Sequence, residues 1–169
     1  MKSLLVVICM FACVEAHSQT SIAGAKFGEP YEKTVELLEA KYGKTNLTDT
    51  NEVTVFDSYY AGFYFDYILF GFQRDSKSSY FNRCIFIKFF DTVDEAKRYR
   101  DDIAAQLKRS YKLISEVRAN GLKCYYGGVD PTCNNRDGFC LEIICNPFGA
   151  KSYNVRLYYG PYDYLNDNF

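Results

Sequence analysis

The chain has 169 residues, of which 48% are hydrophobic and 24% are charged. This length predicts one domain rather than two, and the composition excludes a chain that is disordered throughout. The formal net charge of −1 provides no basic field that could attract nucleic acid, so a nucleic-acid partner is not expected.

Residues 1–18 have the pattern of a secretory signal peptide. An uncharged apolar run covers 4–13, and Ala16 and Ser18 lie at the −3 and −1 positions of a cleavage site. The run is too short to span a membrane, which requires about twenty residues. We therefore expect export to the periplasm or the exterior, with 19–169 as a single mature domain.

The only histidine, His17, is removed with this leader. The mature chain then has no imidazole for a Ser-His-Asp or Cys-His catalytic group, or for a metal site that depends on histidine ligands. We expect neither an enzyme nor a cofactor or metal site.

Lipid anchoring at Cys13 is a minor alternative to full cleavage.

A first helix is predicted between Pro30 and Gly43. Proline suits the first helical turn, and glycine suits a left-handed stop at the C-terminal end. Apolar side chains recur between them at spacings of three and four: Tyr31, Val35, Leu38 and Tyr42.

Three strands are predicted next, over 53–60, 63–72 and 80–90. The middle strand is apolar on both faces, which favours either a central strand or a strand with one face against a ligand or partner. A capping box of Thr92 and Glu95 then starts a second helix. Three more strands are predicted over Leu122–Tyr126, Phe139–Cys145 and Tyr153–Tyr159.

This order predicts an α+β fold with two helix-plus-three-strand halves, 27–91 and 92–160. The expected architecture is an antiparallel sheet covered on one face by two helices. The two halves would then form an internal structural repeat. Two small sheets in tandem are the alternative.

The start of the mature chain resembles that of small exported bacterial envelope proteins, as shown by Ile22, Gly24, Phe27-Gly28 and Tyr42-Gly43. Its helix-then-strands repeat is similar to that of the outer-membrane assembly lipoprotein small protein A and of the β-lactamase inhibitor proteins. Those families place two helices before the strands, whereas this sequence has one in each half. The resemblance implies a protein-binding or inhibitory module and carries over no binding residue.

Five cysteines remain after the leader, and we expect disulfides among the four in the last third because the exterior is oxidising. These four are Cys124, Cys133, Cys140 and Cys145, and the sequence does not determine which of them pair. Cys84 lies in an apolar run and is predicted to be a buried free thiol. Zinc binding is disfavoured because no CxxC spacing is present.

Two segments are candidate binding elements. The C-terminal stretch contains Tyr158, Tyr159, Tyr162 and Tyr164, which form either a recognition surface for protein or glycan or a tail packed on the sheet. The loop with Asn134 and Arg136 between two cysteines is either a disulfide-closed binding loop or a plain hairpin connection.

We interpret the sequence as an exported non-enzymatic binding module for a protein partner in the envelope, acting by interaction or inhibition. The first alternative is a glycan-binding protein that uses the C-terminal tyrosines. A carboxylate-dependent hydrolase is a weaker alternative, because it requires two of Asp57, Asp66 and Glu142 within about 10 Å in a cleft.

Overall fold

A computed structural model describes residues 21–43, 46–48, 52–74, 78–127, 138–146 and 151–160. Of these residues, 53% are in strands and 23% in helices. The chain is therefore mainly β, and the predicted α+β fold with two helix-plus-three-strand halves is wrong.

The described part of the chain contains the helices α1 (Tyr31–Tyr42) and α2 (Val93–Leu107). Its strands are β1 (Ser21–Ile22), β2 (Ala25–Lys26), β3 (Asn46–Thr48), β4 (Glu52–Tyr60), β5 (Phe63–Arg74), β6 (Ser79–Phe90), β7 (Ile114–Val117), β8 (Lys123–Gly127), β9 (Phe139–Cys145) and β10 (Tyr153–Tyr159).

Eight of the described strands form one antiparallel sheet in the order β3-β4-β5-β6-β10-β9-β8-β7, and β1 pairs with β2 separately. Each helix is followed by four strands that run from one edge of the sheet to its centre, where Phe86 of β6 lies opposite Leu157 of β10. Because these strands form one main sheet, the alternative prediction of two small sheets in tandem is also wrong. The prediction missed β3 and β7 because such short edge strands contain too few residues to show an alternation.

Both predicted helices are confirmed, together with the signals that delimit them. Gly43 has a φ of +80° and donates its N–H to the Glu39 carbonyl at 2.9 Å. At the start of α2, Thr92 Oγ1 accepts from the Glu95 N–H at 3.3 Å and donates to Glu95 Oε2 at 2.7 Å. The Thr92 side chain thus caps the helix as predicted, while the Glu95 carboxylate bonds the Thr92 hydroxyl and not the backbone N–H that it would bond in a capping box.

The core lies between the two helices and one face of the sheet. Leu38 of α1 and Ile103 of α2 belong to the same buried cluster as Phe70, Phe86 and Leu157. Burying each such side chain contributes about 1.5–3 kcal/mol. Because successive strand residues point to opposite faces, the intervening side chains lie on the face away from both helices.

Neither described helix combines the length and the apolar character that a membrane-crossing helix needs.

Candidate functional site

The sheet face opposite α1 and α2 carries side chains that do not belong to the core cluster, and we call it the outer face. One row across five strands consists of directly opposed residues: Phe56, Tyr67, Ile87, Arg156 and Glu142. A second row consists of Thr54, Leu69, Ile85, Tyr158, Cys140 and Tyr126. The outer face is therefore largely apolar on β4–β6 and largely polar on β8–β10.

The apolar half of the outer face contains a cavity of about 590 Å³. Its lining residues are Phe56, Asp57, Asp66, Tyr67, Phe89, Asn146 and Lys151. The Tyr67 ring stands at the middle of three rings, with centroids 5.2 Å from Phe56 and 5.4 Å from Phe89. Both contacts are edge-to-face, the arrangement that ring quadrupoles favour.

A local distortion of β4 brings a carboxylate to this cavity. Phe56 pairs with Tyr67 and Ser58 with Phe65, and Asp57 lies between these pairs with a φ of +49°. Aspartate is one of the few non-glycine residues that adopt this left-handed conformation readily. The distortion therefore suits the residue that occupies it.

The two cavity carboxylates differ in how their charge is compensated. Asp66 accepts from Lys88 Nζ at 2.9 Å through Oδ1 and from the Phe89 N–H at 2.7 Å through Oδ2. Asp57 accepts a hydrogen bond from the Tyr64 hydroxyl through Oδ1. Within the described residues, no cation lies at ion-pair distance from Asp57.

The Tyr64 hydroxyl remains a neutral donor under ordinary conditions. Its hydrogen bond to Asp57 raises the pKa of Tyr64 to about 12, because ionisation would place a phenolate beside a carboxylate. The Lys88 ammonium lies 4.3 Å from the centroid of the Tyr64 ring, within range of a cation–π contact.

The polar half of the outer face holds a second cluster around Arg118. This guanidinium lies 2.9 Å from Glu116 Oε1 and 3.5 Å from Glu142 Oε2. Cys140 lies beside it, and burial raises the pKa of the Cys140 thiol to about 12. A thiol with a raised pKa is a poor nucleophile, so this cluster does not resemble a cysteine-based catalytic centre.

The hydrolase alternative receives partial geometric support. Asp57 and Asp66 line the same cavity, whereas Glu142 is paired with Arg118 on the other half of the face. Both oxygens of Asp66 are already bonded to protein donors. A general acid needs a carboxyl that carries a proton and faces the substrate, and Asp66 does not have this environment.

The C-terminal tyrosines have different surroundings. Tyr159 is 1% exposed and packs in the core, so its ring is not available to a partner. Tyr158 is half-buried on the outer face, where its hydroxyl is 3.1 Å from Arg156 Nη1. The remaining predicted site residues lie outside the described residues: Tyr162, Tyr164, Asn134 and Arg136.

The prediction that Cys84 is a buried free thiol is confirmed, since it is unpaired and 0% exposed. Cys124, Cys140 and Cys145 are also free thiols in the structure, and no two described cysteines lie at disulfide distance. Cys133 lies outside the described residues, so pairing with it stays a prediction. The described part of the chain contains no group of three potential metal ligands among its His, Cys, Asp and Glu residues.

Sequence reasoning did not single out the cavity rings Phe56, Tyr67 and Phe89. The available signal was the apolar character of both faces of β5, which favoured either a central position or contact with a partner. The sequence could not show which neighbouring strands would add rings to the same face.

Comparison with protein-family models, curated proteins and solved structures finds no match.

Proposed function

We propose that this chain is an exported, non-enzymatic binding protein whose outer face docks a protein partner. The observation that carries the proposal is the placement of both helices on one face of the sheet while aromatic and aliphatic side chains occupy the other. Phe56 on this face is 45% exposed. Ile87, next to Tyr67 in the same row, is 6% exposed, so Phe56 is the most exposed apolar side chain of that row. Exposed apolar side chains with a polar border are typical of interaction sites.

The breadth of the outer face suits a protein better than a small ligand. The row from Phe56 to Glu142 crosses five neighbouring strands. Since neighbouring strands lie about 4.8 Å apart, this row extends roughly 19 Å. A standard protein interface buries about 800 Å² on each partner, which requires a surface of this breadth.

The boundary between the apolar and polar halves is held in a defined geometry. Arg156 donates through Nε to Asn154 Oδ1 at 2.6 Å and through Nη1 to the Tyr158 hydroxyl at 3.1 Å. Arginine and tyrosine are enriched in interface centres. Side chains that are already ordered lose less conformational entropy on binding, which favours this boundary as part of the docking surface.

The expected export of the chain indicates the compartment in which the partner would be found. A cleaved leader would deliver the domain to the periplasm or the exterior. The resemblance to small protein A and the β-lactamase inhibitor proteins points to the same class of function. We infer that the partner is an envelope or secreted protein.

The test is quantitative capture with two matched serine variants of the mature chain. Phe56→Ser changes an exposed apolar residue on the outer face, and Val117→Ser changes one that is 66% exposed on the edge strand β7. Val117 lies opposite Lys123, on the helix side of the sheet register. Circular dichroism and urea unfolding establish that both variants fold.

The proposal predicts that a protein captured by the wild-type chain is retained by Val117→Ser and lost with Phe56→Ser. Titration of the purified partner should then show weaker binding only for the outer-face variant. Equal retention by both folded variants, or the absence of any captured protein, would contradict the proposal.

A further inference from the structure

The cavity on the outer face combines three aromatic rings with the carboxylate of Asp57, which has no cation at ion-pair distance among the described residues. Phe56 and Tyr67 form ring walls, and Asp57 adds the charge. Of the other ionic side chains among the described lining residues, Asp66 bonds Lys88, and Lys151 lies 3.5 Å from Asp91. The local charge therefore favours a positively charged occupant.

The protein already uses the same chemistry beside the cavity. The Lys88 ammonium lies 2.9 Å from Asp66 Oδ1 and 4.3 Å from the centroid of the Tyr64 ring. A carboxylate and a ring face together thus hold an organic cation in this sheet. Asp57, Phe56 and Tyr67 form a comparable set that lacks a cation among the described residues.

We propose that this cavity binds a basic side chain of the docked protein, with arginine preferred, and that Asp57 is its counter-ion. This inference rests on the proposed function, because it names the chemistry that the partner presents to the outer face. A guanidinium is planar, stacks on aromatic rings and donates two parallel hydrogen bonds to a carboxylate. An ammonium can pair with Asp57 but lacks the planar stacking surface.

Other occupants fit the cavity less well. A hard metal ion requires several oxygen ligands, and the described residues contain no group of three His, Cys, Asp or Glu side chains placed to hold one. An anion would be repelled by the carboxylates of Asp57 and Asp66, which both line the cavity. The volume of about 590 Å³ lies in the range of ordinary ligand pockets and admits a whole side chain.

The probe is N-acetyl-arginine methylamide, titrated into the mature chain and followed by amide chemical shifts in NMR spectra. Its isosteric neutral counterpart is N-acetyl-citrulline methylamide, and the lysine analogue tests the preference for a guanidinium. A single side chain should bind with a Kd on the order of 1–10 mM. We expect shifts at Phe56, Tyr67 and Phe89 with the arginine probe, weaker shifts with lysine and none with citrulline.

Two matched variants test the counter-ion. Asp57→Asn keeps the shape and tolerates the same left-handed backbone, and Asp102→Asn makes the same change at an exposed position on α2. Loss of a charge-assisted hydrogen bond should weaken arginine binding about tenfold in Asp57→Asn and leave Asp102→Asn unchanged. Phe56→Leu, which removes a ring without removing charge, should also weaken binding.

Equal binding of the arginine and citrulline probes, or unchanged arginine binding in Asp57→Asn, would overturn the inference. If Asp57→Asn does not fold, unchanged binding in folded Phe56→Leu would overturn it instead. Partner capture that is lost with Phe56→Ser but unaffected by Asp57→Asn would contradict this inference and leave the proposed function standing. Capture unaffected by Phe56→Ser alongside Asp57-dependent arginine binding would contradict the proposed function and support a site for free basic ligands.

Discussion

The carboxylate of Asp66 replaces a backbone acceptor for the Phe89 N–H, with Oδ2 at 2.7 Å from the Phe89 nitrogen. The register of β5 and β6 continues to the pair Tyr67–Ile87, and the side chain of Asp66 makes the next connection to β6. One residue thus links the two strands where their backbone ladder ends and also lines the cavity.

This relationship predicts graded effects of substitution at Asp66. Asp66→Ala removes the acceptor of the Phe89 N–H and the partner of Lys88, and we expect it to lower the free energy of unfolding by about 1–3 kcal/mol. Asp66→Asn retains an acceptor for the N–H and should cost less. Urea unfolding measures both changes.

The control for this series is Asp91→Ala, which removes an exposed carboxylate 3.5 Å from Lys151. Exposed ion pairs contribute about 0–1 kcal/mol, so this variant should unfold nearly as the wild type does. A cost for Asp66→Ala no greater than for Asp91→Ala would show that the Asp66–Phe89 connection does not stabilise the sheet.

Tyr42 provides a prediction about alkaline pH. Its hydroxyl is buried without a hydrogen-bond partner in the described part of the chain, and burial raises its pKa to about 12. Between pH 10 and 12 the phenols of the unfolded chain lose protons while the folded Tyr42 keeps its own. Rising pH therefore favours the unfolded state in this interval, and stability is complete only below about pH 10.

Tyr42→Phe removes the unpaired hydroxyl and its titration together. We expect the free energy of unfolding at pH 7 to be unchanged or higher by up to about 1 kcal/mol. Between pH 10 and 12 the variant should lose less stability than the wild type, with the remaining loss arising from groups such as Tyr60, whose pKa burial also raises to about 12. Urea unfolding at pH 8 and pH 11 measures this loss of free energy of unfolding for both proteins. An equal loss in the wild type and in Tyr42→Phe would contradict the assignment to Tyr42.

The described thiols should differ in their rates of alkylation after reduction. Cys145 is exposed, Cys140 is half-buried with a raised pKa, and Cys84 is buried with its pKa raised by desolvation. Because the thiolate is the reactive form, iodoacetamide should modify Cys145 first, Cys140 slowly and Cys84 only after unfolding. Peptide mass spectrometry measures each rate, and early modification of Cys84 would contradict the core described above.

Two glycines form a matched pair for the packing of the sheet. A Cβ on Gly127 would overlap the ring of Phe139, which packs in the core with its centroid 5.7 Å from that of Tyr159. A Cβ on Gly71 would instead meet the Arg83 side chain, which is partly exposed and able to move.

We therefore expect Gly127→Ala to cost about 1–3 kcal/mol, the usual range for overpacking. Gly71→Ala should cost less, since displacing Arg83 mainly weakens its ion pair with Glu52. Thermal and urea unfolding of the two variants measure the difference. A greater cost for Gly71→Ala would show that Arg83 is held more tightly than Phe139.

The sequence by itself determined the elements whose signals are local. Pro30 and Gly43 delimit α1, the Thr92 N-cap starts α2, and the burial of Cys84 follows from its apolar neighbours. These features depend on residues within a few positions of one another, so helical spacing, strand alternation and capping chemistry are enough to predict them.

Only the tertiary structure decided which residues share a surface. The central pairing of β6 with β10 joins segments that are distant in the chain. The distortion at Asp57 and the departure of β5 from β6 then gather Phe56, Asp66 and Phe89 around one cavity. Such contacts arise from side-chain packing between remote strands, which no local pattern specifies.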